Sequence, residues 1–249
     1  EAGPYPSKGG TGSPIQTNGV CRPMYYWLKS YWNSEPMVHF AVMDYSLQDE
    51  CTKEPWDTPP YAEHWQFPQF QRTVLPYRIA TNCDEVRVYL DGKCYYPPRP
   101  ERNEIRGFLP WKPGEIRIVG YIQGKEACEH RLVTPGPAIR LKAEEGEICL
   151  SVPGGYEKLF RVEAVDQEDQ FYFRESALVR FSVEGPAELA AVDNGDLTGN
   201  EPYASDRVHL YHGRAAALLR FTGESGRVVL TANAEGMYPA RVVINIEGV

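Results

Sequence analysis

No stretch of the chain stays apolar for the roughly 20 residues that a membrane-crossing helix requires, so no membrane partner is expected. No signal-peptide core opens it either. Lys and Arg never cluster into a run, and the formal net charge is −8. Phosphate binding needs a concentrated cationic surface, which argues against a nucleic-acid partner. The six cysteines form no CxxC pair and no Cys/His spacing suited to zinc. A P-loop, a dinucleotide fingerprint and a serine nucleophile elbow are all missing. No metal and no cofactor are therefore expected. The chain also lacks an initiator Met; it begins Glu1-Ala2-Gly3-Pro4, as a product of processing or cleavage from something longer would.

What is present is alternation. Val86, Val88 and Leu90 alternate with Glu85, Arg87 and Tyr89, the period of a half-buried strand. Asp91-Gly92 then supplies a tight turn, since glycine reaches positive φ without a Cβ clash. Met37–Met43, Val74–Ala80, Glu115–Ile122 and Ala127–Val133 read as further strands, the last two joined by a turn at Gly124-Lys125. Trp111-Lys112-Pro113-Gly114 is a turn. Strands and turns at this spacing describe a β-sandwich of immunoglobulin size. Thr134-Pro135-Gly136-Pro137 breaks the alternation and marks a boundary. Beyond it the strand count restarts, with Phe160, Val162 and Ala164 as one inward set and Val179, Phe181 and Val183 as another. That is a second sandwich.

One helix stands apart. Pro23 suits a first helical position. Met24, Trp27, Leu28, Tyr31 and Trp32 then share one face. A single helix cannot bury such a face alone. The reading favoured here is that its partner is a polypeptide segment outside this chain; the alternative is docking on the β-rich remainder. Residues 1–20 are rich in Gly, Pro, Ser and Thr and read as an extended loop. Between residues 44 and 70 the chain is irregular, broken by Pro55, Pro59, Pro60 and Pro68. It carries Trp56 and Trp65, whose rings could stack on sugar. The competing reading packs these aromatics on a neighbouring domain.

Complete chemistry is not found. Glycoside hydrolysis needs two carboxylates flanking the sugar. Glu144, Glu145, Glu147 and the acidic cluster from Asp166 to Glu175 read instead as solvated turns. Asp193-Asn194-Gly195-Asp196, with Asn200 and Glu201, offers oxygens that calcium would accept, but without EF-hand spacing; a turn held by Asx side chains is favoured. His209 and His212 are expected to face opposite sides of a strand end. The cysteines read as reduced thiols, with Cys83 and Cys94 as the pair a hairpin would bring close. That leans toward a reducing, cytoplasmic setting.

The order of several phrases carries a resemblance. Arg22-Pro23-Met24-Tyr25-Tyr26-Trp27-Leu28-Lys29-Ser30-Tyr31-Trp32 is followed by Met37-Val38-His39, His64-Trp65, Thr81-Asn82-Cys83-Asp84-Glu85-Val86 and Leu90-Asp91-Gly92-Lys93. Then come Trp111, Pro113-Gly114-Glu115-Ile116, Gly120-Tyr121, Gly124-Lys125 and Thr134-Pro135-Gly136-Pro137. Asp193-Asn194-Gly195-Asp196 and Tyr211-His212-Gly213-Arg214-Ala215 complete the series. Together they resemble the C-terminal part of glycoside hydrolase family two, the β-galactosidase group.

The resemblance implies a mainly β chain. Residues 1–35 would be the last βα loop and helix of a (β/α)8 barrel, residues 36–136 an immunoglobulin-like sandwich, and residues 137–249 a second one. The catalytic Glu pair would lie upstream, with no catalytic residue in this chain. The expected partners are the catalytic barrel portion, on the same or a separate chain, and a carbohydrate substrate. Self-association as a homo-oligomer is left open. Asn18 resembles the asparagine that β-galactosidases place beside the sugar, or else it forms an Asn-Gly turn. The uronate-binding branch of the family uses Asn-x-Lys, whereas Gly19-Val20 follows Asn18, which implies a neutral sugar. Asn18, Trp56 and Trp65 are the candidate substrate contacts. The alternative is a free-standing carbohydrate-binding or adhesion module.

Overall fold

The structure, a computed structural model, describes residues 8, 10, 12–50, 59–70 and 73–246. It divides into two compact units, one of residues 1–15 and 21–134, the other of residues 16–20 and 135–249.

In the first unit, β1 (Val38–Met43), β2 (Tyr61–Ala62), β3 (Val74–Thr81) and β6 (Glu104–Pro110) form a sheet in the order β2-β1-β3-β6. A second sheet runs β5-β4-β7-β8, from β4 (Glu85–Leu90), β5 (Lys93–Tyr95), β7 (Glu115–Ile122) and β8 (Lys125–Val133). Every pairing is antiparallel. The alternation read from sequence places the core. Val86, Val88 and Leu90 from one sheet meet Phe40, Leu75 and Ile79 from the other. Asp91 and Gly92 both take positive φ, 48° and 76°, which lets two residues reverse the chain between β4 and β5.

The helix spans Pro23–Trp32 and belongs to this unit. Part of its aromatic face docks within it. Trp27 Nε1–H and Tyr31 O–H both donate to the Arg102 carbonyl, at 3.2 and 2.6 Å. Asn103 Nδ2–H donates to the Ser30 carbonyl at 2.8 Å. The Arg78 guanidinium lies 5.2 Å from the centre of the Trp27 ring. Tyr31 and Trp32 stay exposed; Trp32 retains 78% of its accessible surface. Docking and exposure thus share one helix.

In the second unit, β9 (Arg140–Val152), β10 (Gly155–Val165), β12 (Ala187–Asp193) and β14 (Arg214–Phe221) pair in the order β12-β14-β10-β9. Facing them, β11 (Leu178–Glu184), β13 (Arg207–His209), β15 (Gly226–Ala234) and β16 (Ala240–Ile246) pair as β13-β11-β15-β16. Phe160, Val162 and Ala164 are wholly buried, and so are Val179, Leu219 and Leu230.

Two expectations need correcting. Glu144 and Glu145 sit in β9, where the first pairs with Lys142 and the second with Lys158. The register between β9 and β10 shifts at Lys158/Phe160, and this irregularity accommodates Gly146 without ending the strand. Cys83 meets Cys128 at 3.5 Å between sulfurs, not Cys94. Cys94 lies in β5 opposite Tyr89, on the far side of β4 from the strand that carries Cys128.

Candidate functional site

Among the described residues, a cluster of three His and Glu side chains lies in the first unit. His39 is in β1, where Val38, Phe40 and Val42 point into the sandwich. Its side chain is on the other face, yet buried, because the Tyr26 ring stacks on it at 3.6 Å and 6° between planes. His130, from β8, stacks on His39 with ring centres 4.9 Å apart. Glu63, just after β2, reaches both: Oε2 lies 3.2 Å from His39 Nε2 and Oε1 lies 3.1 Å from His130 Nε2. The Phe40 N–H donates to His130 Nδ1 at 2.9 Å. β2 pairs only with Val42 and Met43, so His130 satisfies a β1 edge amide that β2 is too short to reach.

These three side chains offer a metal-sized donor set. The proton positions decide against it. Since a backbone N–H points at His130 Nδ1, the neutral ring must carry its proton on Nε2 and donate to Glu63. A ligating histidine needs the opposite arrangement, a bare Nε2 and an N–H on the other nitrogen. The trio instead forms a carboxylate that His130 hydrogen-bonds and beside which His39 Nε2 lies without a well-aligned hydrogen bond. Burial alone would raise Glu63, but His39 and His130 outweigh it and hold the carboxyl well below its usual range. Burial dominates at His39 and lowers it, with Glu63 pulling upward without prevailing.

A second pair lies nearby in sequence. Asp44 ends β1 and receives His64 Nε2–H at 3.0 Å, with both side chains buried. The Gln66 N–H donates to His64 Nδ1 at 3.2 Å, which fixes the tautomer. Ser46 donates its N–H and O–H to Asp44 Oδ1, at 3.0 and 2.6 Å. The serine hydroxyl thus points at the carboxylate rather than at a base, unlike an activated nucleophile. Burial pushes Asp44 up, but the bonds from His64 and Ser46 outweigh it and bring its pKa down to about 2.

These shifts give the first unit a pH dependence of definite sign. Asp44 and Glu63 titrate lower in the folded state than in the unfolded chain. Their stabilisation is complete above the unfolded values near 4 and is lost as pH falls toward the depressed ones; for Asp44 this is about 2 kcal/mol between pH 4 and pH 2. His39 adds in the same direction, because below 6.5 the unfolded chain takes up a proton that the buried ring resists. Trp27, Trp32, Trp65 and Trp111 lie in the first unit and no tryptophan follows residue 134 in the sequence, so the fluorescence reports this unit's unfolding. Its thermal midpoint is expected to fall steadily from pH 7 to pH 3, and a flat profile would refute the assignment.

The residues expected to touch sugar fare differently. Trp56 lies outside the described residues. Trp65 is 1% exposed and packs among Phe40 and Phe67, so its ring faces are not open to a ligand. Asn18 is also 1% exposed, within the second unit. Its Nδ2–H donates to the Asn194 carbonyl at 2.8 Å, and its Oδ1 accepts the Val20 N–H at 3.1 Å. Asn18 therefore ties the 16–20 loop to the β12 end of the second sandwich. Gly19 takes φ +79°, the Asn-Gly turn that was the alternative reading. The 193–196 loop is held by Asx contacts, including Asp193 Oδ1 with the Asn194 and Gly195 amides and Asn194 Oδ1 with the Asp196 amide. His209 pairs with Glu201 at 2.8 Å, whereas His212 stacks on Phe173.

Sequence reasoning passed over His39, Glu63, His130 and Asp44. The usable signal was Val38–Met43 itself, a strand with almost no charge on either face. Such a strand is covered on both sides, and the aromatic helix beside it in sequence supplies a cover.

Comparison with known proteins extends these observations. Residues 158–243 match the model of the glycoside hydrolase family 2 C-terminal domain 5, and residues 72–128 match a domain of unknown function, DUF4982. The chain is 21% identical over 247 residues to the β-galactosidase BoGH2A of Bacteroides ovatus, and 24% identical over 217 residues to a putative β-glucuronidase of Formosa agariphila. It spans 26% of the first and 19% of the second. Among solved structures, a glycosyl hydrolase family 2 member from Bacteroides cellulosilyticus superposes with a TM-score of 0.83 at 21% identity, over 94% of this chain and 31% of the other. A β-glycosidase from Bacteroides vulgatus gives 0.81 at 20% identity, over 97% of this chain and 29% of the other. Domain match, relatives and a mainly β fold agree in what the chain is similar to: the C-terminal region of glycoside hydrolase family 2 enzymes.

Proposed function

We propose that this chain is the C-terminal accessory region of a retaining glycoside hydrolase of β-galactosidase type acting on a neutral sugar. The barrel portion supplies both carboxylates, one as acid/base and one as nucleophile. This region buttresses that barrel, and the loop before the helix contributes to the active-site rim. The observation that carries the reading is the match of residues 158–243 to the family's C-terminal domain, in a chain that spans only 26% of the β-galactosidase it resembles. The exposed Tyr31 and Trp32 support it, as aromatics available to an adjoining helix. The neutral-sugar element rests on Asn18-Gly19-Val20, which places no lysine two residues after the asparagine.

The purified chain is expected to leave nitrophenyl β-galactoside and nitrophenyl β-glucuronide intact. Joined to the barrel portion, it is expected to support hydrolysis of the galactoside in preference to the glucuronide. Turnover by the chain alone would overturn the accessory role. Preference for the glucuronide in the joined protein would overturn only the choice of sugar. A free-standing sugar-binding module is less well supported, since Trp65, one of the two tryptophans offered for stacking, is a core residue.

A further inference from the structure

Cys83 and Cys128 are 45 positions apart in sequence, and their sulfurs lie 3.5 Å apart inside the first unit. Cys83 follows β3 in the turn that leads to β4, and Cys128 is in β8. The strand between them, β7, would ordinarily fill that space with a side chain. It does not, because the residue opposite Cys128 is Gly120. A Cβ at Gly120 would stand 2.6 Å from the Cys83 sulfur and 2.8 Å from that of Cys128. Glycine here leaves the room that brings two thiols together across a strand.

We propose that Cys83 and Cys128 form a reversible disulfide that locks β8 to the β3–β4 turn, making the first sandwich redox-sensitive. The sulfurs need to close by about 1.5 Å to reach bonding distance. Cys83 is buried, whereas Cys128 is partly exposed and is the point of entry. With a small-molecule disulfide as oxidant, the pair loses one proton, the remaining proton shifts to Cys83, and the Cys128 sulfur attacks one sulfur of the oxidant and expels a thiolate. The Cys83 thiolate then attacks the Cys128 sulfur and expels the second. Two protein thiols are oxidised, one disulfide is reduced to two thiols, and the two protein protons pass to the departing thiolates.

The surroundings favour the first ionisation. The hydrogen bond between the two sulfurs outweighs burial and lowers Cys83 to about 6, and the same contact raises Cys128. A pair sharing one proton gives up its first readily and its second with difficulty. The Cys83 N–H is held by Thr81 Oγ1 at 3.0 Å, and that hydroxyl donates to the Met37 carbonyl at 2.8 Å, which fixes the turn carrying the sulfur.

The test uses the full chain, treated under native conditions with oxidised glutathione and mapped by mass spectrometry without reduction. A peptide pair joined through Cys83 and Cys128 is expected, with release on adding dithiothreitol. The tryptophan-reported melting midpoint of the oxidised chain is expected to rise by about 5–10 °C, because the link constrains a long loop in the unfolded state. Cys128→Ser should remove both the linked peptide and the rise, and its more exposed position keeps the variant foldable. Alkylation of both thiols after oxidation would overturn the proposal. So would linkage through other cysteines, or a rise that persists in Cys128→Ser.

Discussion

Asp44→Ala is expected to destabilise the first sandwich by about 3–5 kcal/mol, since it strands three buried or part-buried donors at about 1–3 kcal/mol each. The effect is large because Asp44 is central to several bonds that water cannot replace. Its side chain is fully buried and that of His64 is 1% exposed. Alanine would strand the His64 Nε2–H, whose other nitrogen already accepts from Gln66 and cannot change tautomer without losing that bond. It would also remove the acceptor of the Ser46 amide and hydroxyl. The backbone bonds of residue 44, from its N–H to the Pro60 carbonyl and from Leu47 to its carbonyl, persist in alanine, so the loss reads the side chain alone. Urea titration followed by tryptophan fluorescence reads the first unit directly. Asp44→Asn keeps one acceptor oxygen and should cost less, about 1–3 kcal/mol. A loss below about 1 kcal/mol for the alanine variant would mean the pair is not structural.

Much of the fold was legible because strand faces follow a two-residue period. Val86–Leu90 and Phe160–Ala164 declare their inward sides without reference to anything distant. The Asp91-Gly92 reversal was equally local, since its backbone angles are favoured by those two residue types. What stayed hidden depends on which strands become neighbours. Cys94 is closer to Cys83 in sequence than Cys128 is, yet β7, through Gly120, sets the actual partner. Glu63 follows a proline-broken stretch with no period, so nothing local ties it to His39 and His130. Glu144 and Glu145 read as part of a solvated acidic turn, but a shifted register carries the strand through. Asn18 reads from sequence as a sugar contact or an Asn-Gly turn; the group that its amide bonds, the Asn194 carbonyl, lies 176 positions away.

Trp65→Ala is expected to cost about 3–5 kcal/mol, the range for emptying a large aromatic site in a packed core. It also separates two uses of the same residue. A tryptophan that stacks on sugar can be truncated with little change in stability and a complete loss of binding. A core tryptophan does the reverse. Trp65 is 1% exposed and lies edge-on to both Phe40 and Phe67, at 6.2 Å between ring centres. Its indole N–H donates to the Lys112 carbonyl at 2.9 Å, and its own carbonyl accepts the Thr134 hydroxyl at 2.8 Å. Thr134 Oγ1 in turn accepts the Gly114 N–H at 3.1 Å, so the β7–β8 sheet is joined to the segment before β3 through this one residue. Trp65→Phe keeps most of the packing but leaves the Lys112 carbonyl without its donor, and should cost about 1–3 kcal/mol. Trp111 remains in both variants as the buried reporter. A urea midpoint that falls in the order wild type, Trp65→Phe, Trp65→Ala fits a core role. An unchanged midpoint in Trp65→Ala would restore the sugar-stacking reading that its position in the sandwich opposes.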